Sequence, residues 1–133
     1  MIQMDHEWQA HAHAKPIAAG DAPAVLRATA LRIAARNGEA DPTGLCYVEG
    51  TRGQGAELMN TSIAQNDDPS YIIEMHGNFT SYRGGPVTPT GESARPTGRT
   101  MFIVVSATTG LVTDTSLSNT TKSVSSIAEP SAL

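Results

Sequence analysis

The run Thr100–Leu117, TMFIVVSATTGLVTDTSL, constrains the fold more than any other part of the chain. "TMFIVVSA" is dense in β-branched and large apolar residues, which suit a pleated and packed surface. "TTG" follows as a short turn, with Gly110 available for a positive φ. "LVTDTSL" then returns. Two strands joined by so short a turn run antiparallel, because a parallel pair needs a crossover of about a dozen residues or more.

Upstream, Tyr71–Tyr82 reads as a long strand. Tyr71, Ile73, Met75 and Phe79 face one way, and Glu74, His76, Asn78 and Thr80 face the other. Such alternation predicts one packed side and one side that meets water or a partner. Leu45–Thr51 reads as a further strand. Between the two, "AELMN" suits a helical turn and "QNDDPS" a turn cluster, and the segment stays ambiguous. Asp21–Gly38 is the clearest helix. Asp21 or Gly20 supplies a cap region, Pro23 fits the first turn, and Gly38 fits the C-terminal left-handed position. Leu26, Ala30, Ile33 and Ala34 fall on one face, with Arg32 and Arg36 roughly opposite. An Ala-rich seam implies close approach to a sheet. The expected fold is α+β, one main helix packed on an antiparallel sheet of about four strands in two layers.

A chain of 133 residues is one domain long. Aromatic residues make up only 5%, so the core must rest on Ile, Val, Leu, Met and Ala. The expected organisation is an N-terminal arm or short helix over 1–20, a single α+β domain over 21–117, and a Ser/Thr-rich tail over 118–133. The tail is expected to be poorly ordered in the free protein. Trp8, the only tryptophan, would anchor the arm to the domain or to a neighbour.

The formal net charge of −4 argues against a general nucleic-acid binder. Cys46 is the only cysteine, which excludes an internal disulfide, and its apolar run Leu45–Val48 reads as the site of a buried, inert thiol. No stretch reaches the roughly 18 apolar residues of a membrane span, so no transmembrane segment is expected. The N-terminus lacks the basic start and apolar core of a signal peptide. The chain is therefore either cytoplasmic, or secreted or held in the envelope after loss of a leader. No G-x-G-x-x-G or P-loop pattern occurs in a strand-to-helix context, "TRGQGAE" included, and no cofactor is expected.

Three groups of residues carry possible chemistry. His6, His11 and His13, beside Asp5 and Glu7, offer ligands suited to zinc, copper or nickel. Their spacing matches no closed structural site, so adventitious binding is expected rather than a metal centre. Glu74 and His76 share one face of a strand, where a carboxylate can orient an imidazole for general-base work. No nucleophile is placed beside them by the sequence, and a polar outer face is the plainer reading. The third group is the stretch from Arg83 to Arg99, 17 residues with four Gly and three Pro. Structureless loops beyond about 12–15 residues are often binding loops or lids. Arg83, Arg95 and Arg99 against Glu92 leave it cationic in an acidic protein, a contact surface for a carboxylate-rich partner. A neutral insertion is the competing reading, since each doubling of loop length costs only about 0.6 kcal/mol.

"FIVVSATTGLVTD" resembles the closing hairpin of PepSY-type domains, most pointedly at Thr109-Gly110-Leu111-Val112. One helix followed by an antiparallel sheet is similar to the wider cystatin-like fold. The resemblance covers Ala22 to about Leu117. It implies an envelope or secreted module that restrains a protease and carries no catalytic residues. The chain departs from that pattern in its long 83–99 loop and in having one domain copy rather than two. The resulting expectation is a non-catalytic binding or assembly module. Its contacts to an unknown protein partner, or to itself, would run through Arg83, Arg95, Arg99 and Trp8. Two alternatives stand beside it: a small enzyme with a pocket on the Glu74/His76 face, and a structural subunit of a larger polymer.

Overall fold

Pro23 lies in the first turn of the main helix, α1 (Ala22–Arg36), where its missing N–H has no intrahelical partner to lose. The structure, a computed structural model, describes residues 15–60, 66–81, 97–119 and 122–133. The chain enters α1 through a 3₁₀ turn, Ala19–Asp21. Asp21 holds the N-cap position, but its side chain makes no capping hydrogen bond. At the other end Gly38 adopts φ +81°, and the N–H of Glu39 returns to Ala34 O at 2.9 Å. That left-handed step is the reason for glycine there.

After α1 come β1 (Thr43–Thr51), α2 (Arg52–Leu58), β2 (Pro69–Thr80), β3 (Thr97–Ser106) and β4 (Val112–Ser118). A 3₁₀ turn at Val124–Ser126 leads to β5 (Ser131–Ala132). The strands form one antiparallel sheet in the order β4-β3-β2-β1-β5. The α+β architecture is the expected one, with a fifth strand added by the end of the chain. The β3–β4 turn is as read from the sequence, with Gly110 at φ +72°.

One face of the sheet is the core read from the alternation. Tyr71, Ile73, Met75 and Phe79 pack with Met101, Ile103 and Val105 against Leu26, Ala30, Ile33 and Ala34 of α1. The opposite face departs from expectation, since over half its length it is a second core instead of a wet surface. Val48, Ile72, Phe102 and Val104 pack there with Leu58 of α2 and Val124. The physical reason lies in Ile72-Ile73 and in Phe102–Val105. A continuous apolar run places large side chains on both faces, which a period-2 reading of Tyr71–Tyr82 alone passes over.

α2 forms over that second core despite Gly53 and Gly55. Thr51 accepts from the Gln54 N–H at 3.2 Å while Gln54 Oε1 accepts from the Thr51 N–H at 2.9 Å, a reciprocal cap. Gly55 lets the helix axis approach the sheet closely. A Cβ there would overlap Val104 Cγ2 and stand 3.2 Å from Ile72 Cγ1.

The C-terminal segment, read from sequence as a polar tail, is laid along the sheet from residue 122 onward. Val124 is fully buried, Ile127 packs beside it, and Leu133 reaches the α1-side core. β5 pairs with β1 through Cys46↔Ala132 and Tyr47↔Ser131. Three scattered apolar residues, Val124, Ile127 and Leu133, are enough to hold a segment that is otherwise rich in Ser and Ala.

Candidate functional site

Strand register sets a polar row across the α2-side face. His76 on β2 is opposite Thr100 on β3, which is opposite Ser118 on β4. One rung along, Cys46, Glu74, Phe102 and Ser116 follow in the same order. Glu74 and His76 are thus on one face, as the alternation requires, and they touch.

Glu74 is only 7% exposed. Its Oε2 lies 2.8 Å from His76 Nε2, and its Oε1 accepts the Val124 N–H at 2.9 Å. His76 Nδ1 stands 3.3 Å from Thr100 Oγ1. In the neutral imidazole, Nε2–H donates to the carboxylate and Nδ1 accepts the threonine hydroxyl. The three side chains form a carboxylate–imidazole–hydroxyl row, the arrangement in which an acid orients a base toward a hydroxyl. The ring remains 45% exposed, whereas Thr100 is 6% exposed beneath it.

Two irregularities of the sheet seat this ring. β1 slips register between Thr43 and Cys46, and β2 slips between His76 and Phe79. Gly44 in the first has φ +63°, and a Cβ there would come within 2.9 Å of His76 Cδ2. The second is pinned from the α1–β1 connection. Glu39 Oε1 accepts the Asn78 N–H at 2.7 Å, and Asn37 O accepts the Thr80 N–H at 2.8 Å. The backbone N–H groups of Asn78 and Asp41 hold the Glu39 carboxyl below the usual carboxylate range.

Cys46 fits the inert reading. It is partly buried, and that burial first, with the Glu74 charge second, pushes its thiol up and away from the nucleophilic thiolate. Among the described residues no group of three or more His, Cys, Asp or Glu side chains gathers to hold a metal. His6, His11 and His13 lie outside the described residues, as do Trp8, Arg83 and Arg95.

Arg99 is described, and its position corrects the loop boundary. β3 begins at Thr97, so Arg99 is an exposed strand residue instead of a loop residue. Its N–H donates to Asn119 Oδ1 at 3.1 Å. Thr80 pairs with Thr97, which closes the root of the long loop on two central strands. Beside that root lies an open cleft of about 380 Å³ lined by Asn78, Phe79, Thr80, Thr97, Gly98, Arg99 and Asn119.

Three interactions escaped the sequence reading. In the sequence Thr100 reads as a strand start and not as a partner of His76, although its even spacing from Phe102 and Val104 places it on their face. The Val124–Glu74 bond has no local signal, since the two are 50 residues apart. The third joins α2 to β4. Arg52 Nε and Nη2 donate to Asp114 Oδ2 and Oδ1 at 2.8 and 3.2 Å, and Thr113 adds a bond to Oδ2 at 2.8 Å. Burial raises the Asp114 carboxyl, but those hydrogen bonds and the Arg52 charge outweigh it and hold the group below its ordinary range.

Glu74 binds the C-terminal segment as well as the histidine, which gives a test. Glu74→Ala should lower stability by about 2 kcal/mol, because it strands the buried Val124 N–H without an acceptor. Glu74→Gln, which keeps an oxygen for Val124, should lose distinctly less. Urea unfolding of the two variants side by side reads the difference, and equal losses would show that the Val124 bond contributes nothing.

Compared with known protein families, curated proteins and solved structures, the chain matches none.

Proposed function

We propose that the protein is a non-catalytic binding module of PepSY-like type, in the envelope or outside the cell, that engages a protein partner through the 83–99 loop and the cleft at its root. The observation that supports this reading most is the Thr80↔Thr97 pair. Both ends of the loop leave from β2 and β3, the strands packed on both faces, so a recognition loop here has a rigid stem. Arg99, exposed on that stem beside the cleft, adds a guanidinium where a carboxylate of the partner can be held by two bonds.

The register also designs the test. Replacing residues 81–96 by Asn-Gly leaves Thr80 and Thr97 flanking a two-residue hairpin turn, which the antiparallel twist accepts. Circular dichroism should show an unchanged fold. Affinity capture from the source cells should lose, with the shortened chain and with Arg99→Glu, a protein that the full chain retains. The same captures from all three chains would sink the loop's role.

A second reading, a small hydrolytic enzyme, is favoured by the Glu74–His76–Thr100 row. It requires the intact chain to hydrolyse an activated ester and His76→Ala to abolish that activity. An inactive wild-type chain removes it.

A further inference from the structure

The two edges of the sheet are treated differently. On the β1 side the chain covers its own edge, because β5 pairs with Cys46 and Tyr47 and the Leu133 N–H donates to Leu45 O at 3.0 Å. Arg27 Nη1 fastens that end by donating to Leu133 O at 3.0 Å. On the other side β4 ends the sheet, and no described residue pairs with its outer edge. Edge strands are ordinarily blunted by lysine, proline, inward charge or bulges. β4, VTDTSLS, has neither lysine nor proline. Its single bulge is at its start, where Val104 is opposite Asp114 and Val105 is opposite Val112. Its single charge, Asp114, is already matched by Arg52.

A further observation says what the edge is built to meet. Ser116 Oγ is buried and has no hydrogen-bond partner among the described residues. Ser116 and Asp114 lie on the same face of β4, opposite Phe102 and Val104. The geometry points to a homodimer in which β4 pairs antiparallel with β4 of a second copy about a two-fold axis through Thr115, and each Ser116 hydroxyl donates to Asp114 of the other copy. In that register Asp114 faces Ser116 and Thr113 faces Leu117, and the bulge between Val112 and Asp114 ends the regular pairing there. No like charges are opposed. The two-fold axis stands perpendicular to the sheet, so the α2-side faces of both copies are continuous and Ser116 meets Asp114 on the same side. One step between staggered rotamers turns the hydroxyl toward the edge. Asp114 has room to accept it, since Oδ2 takes Arg52 Nε and Thr113 while Oδ1 takes only Arg52 Nη2. The Thr115 axis and the Asp114–Ser116 contacts lie opposite Phe102, Ile103 and Val104, away from the loop root at Thr97, and only the far end of β4 at Ser118 adjoins it.

The full chain should sediment as a dimer. Thr115 is exposed, so Thr115→Lys leaves the core untouched while opposing two ammonium groups across the axis, and it should give a monomer with unchanged circular dichroism. Ser116→Ala removes both new bonds and should weaken dimerisation by about tenfold or more. In a Cys46→Ala background, Thr115→Cys should form an intermolecular disulfide on mild oxidation, since directly opposed residues in an antiparallel pair stand about 4.5–5.5 Å apart at Cα, within disulfide reach. Ser118→Cys, which lies away from the axis and does not meet its own copy, should not. The chain with Asn-Gly in place of residues 81–96 should dimerise as well as the full chain, which separates this inference from the loop's role. A chain that stays monomeric at hundreds of micromolar overturns it, whether its β4 amides exchange freely or are covered by the chain itself. A dimer indifferent to Thr115→Lys, or one crosslinked through Ser118→Cys, overturns it equally.

Discussion

Phe102→Ala is expected to cost about 3–5 kcal/mol of folding stability, a large part of what a single domain possesses. Phe102 has no exposed surface and lies on the α2-side face of the interior strand β3. It packs with Ile72, Val104, Leu58 and Val124, which come from four separate elements of the chain. Aromatic residues are few, so each aromatic ring carries a large share of its core, and a cavity of this size has no neighbouring ring to fill it. Urea unfolding followed by far-UV circular dichroism measures the loss. The same cost is expected of a conventional core position and not of a strand face that meets water. A loss under about 1 kcal/mol would mean that α2 and the C-terminal turn do not hold this face closed. It would also return the surface to the candidates for partner contact.

The fold was legible where local chemistry and tertiary packing agree. Pro23 and Gly38 bound α1 by backbone rules that need no partner, and the apolar seam Leu26–Ala34 names the face that packs. The hairpin around Gly110 was legible for the same reason. α2 was not, because Gly53 and Gly55 depress helix propensity, and the helix owes its existence to the Thr51–Gln54 cap and to the sheet beneath it. The cap was present in the sequence as Thr-x-x-Gln and could have been read. The C-terminal segment illustrates the opposite limit. Nothing local in "TKSVSSIAEPSAL" announces that Val124 will be buried beside Phe102, or that its N–H will be taken by a carboxylate 50 residues earlier.

The candidate site divides along the same line. Glu74 and His76 were legible as a pair because period 2 in a strand is a local rule. Thr100 and Ser116 join them only through register, which depends on which strands pair and where the bulges at Gly44, Gly77-Asn78 and Thr113 fall. Arg99 shows how a boundary shifts a reading. Pro96-Thr97-Gly98 looks like loop chemistry, yet Thr97 and Gly98 pair with Thr80 and Phe79. Gly98 is required there because a Cβ would press to 2.7 Å from the Ser118 N atom.

Gly55→Val should destabilise the protein by about 3 kcal/mol, whereas Gly20→Ala should change it by no more than about 0.5 kcal/mol. The contrast isolates close approach from glycine content. Nothing lies within 4 Å of a Cβ built on Gly20, while one on Gly55 enters Val104 Cγ2 and crowds Ile72. Val104 is itself fully buried on β3 and has no space to yield. The strain is therefore relieved by lifting α2, which opens the core formed by Leu58, Ile72, Phe102 and Val124. Arg52 begins α2, so the same movement withdraws its guanidinium from Asp114. That leaves a bare carboxylate on the edge strand, next to the residue about which two copies are inferred to pair. Gly55→Val should accordingly weaken dimerisation even at temperatures where the chain remains folded, and sedimentation alongside unfolding distinguishes the two effects. A variant that unfolds earlier but associates as tightly as the wild type would show that α2 supports the core without supporting the edge.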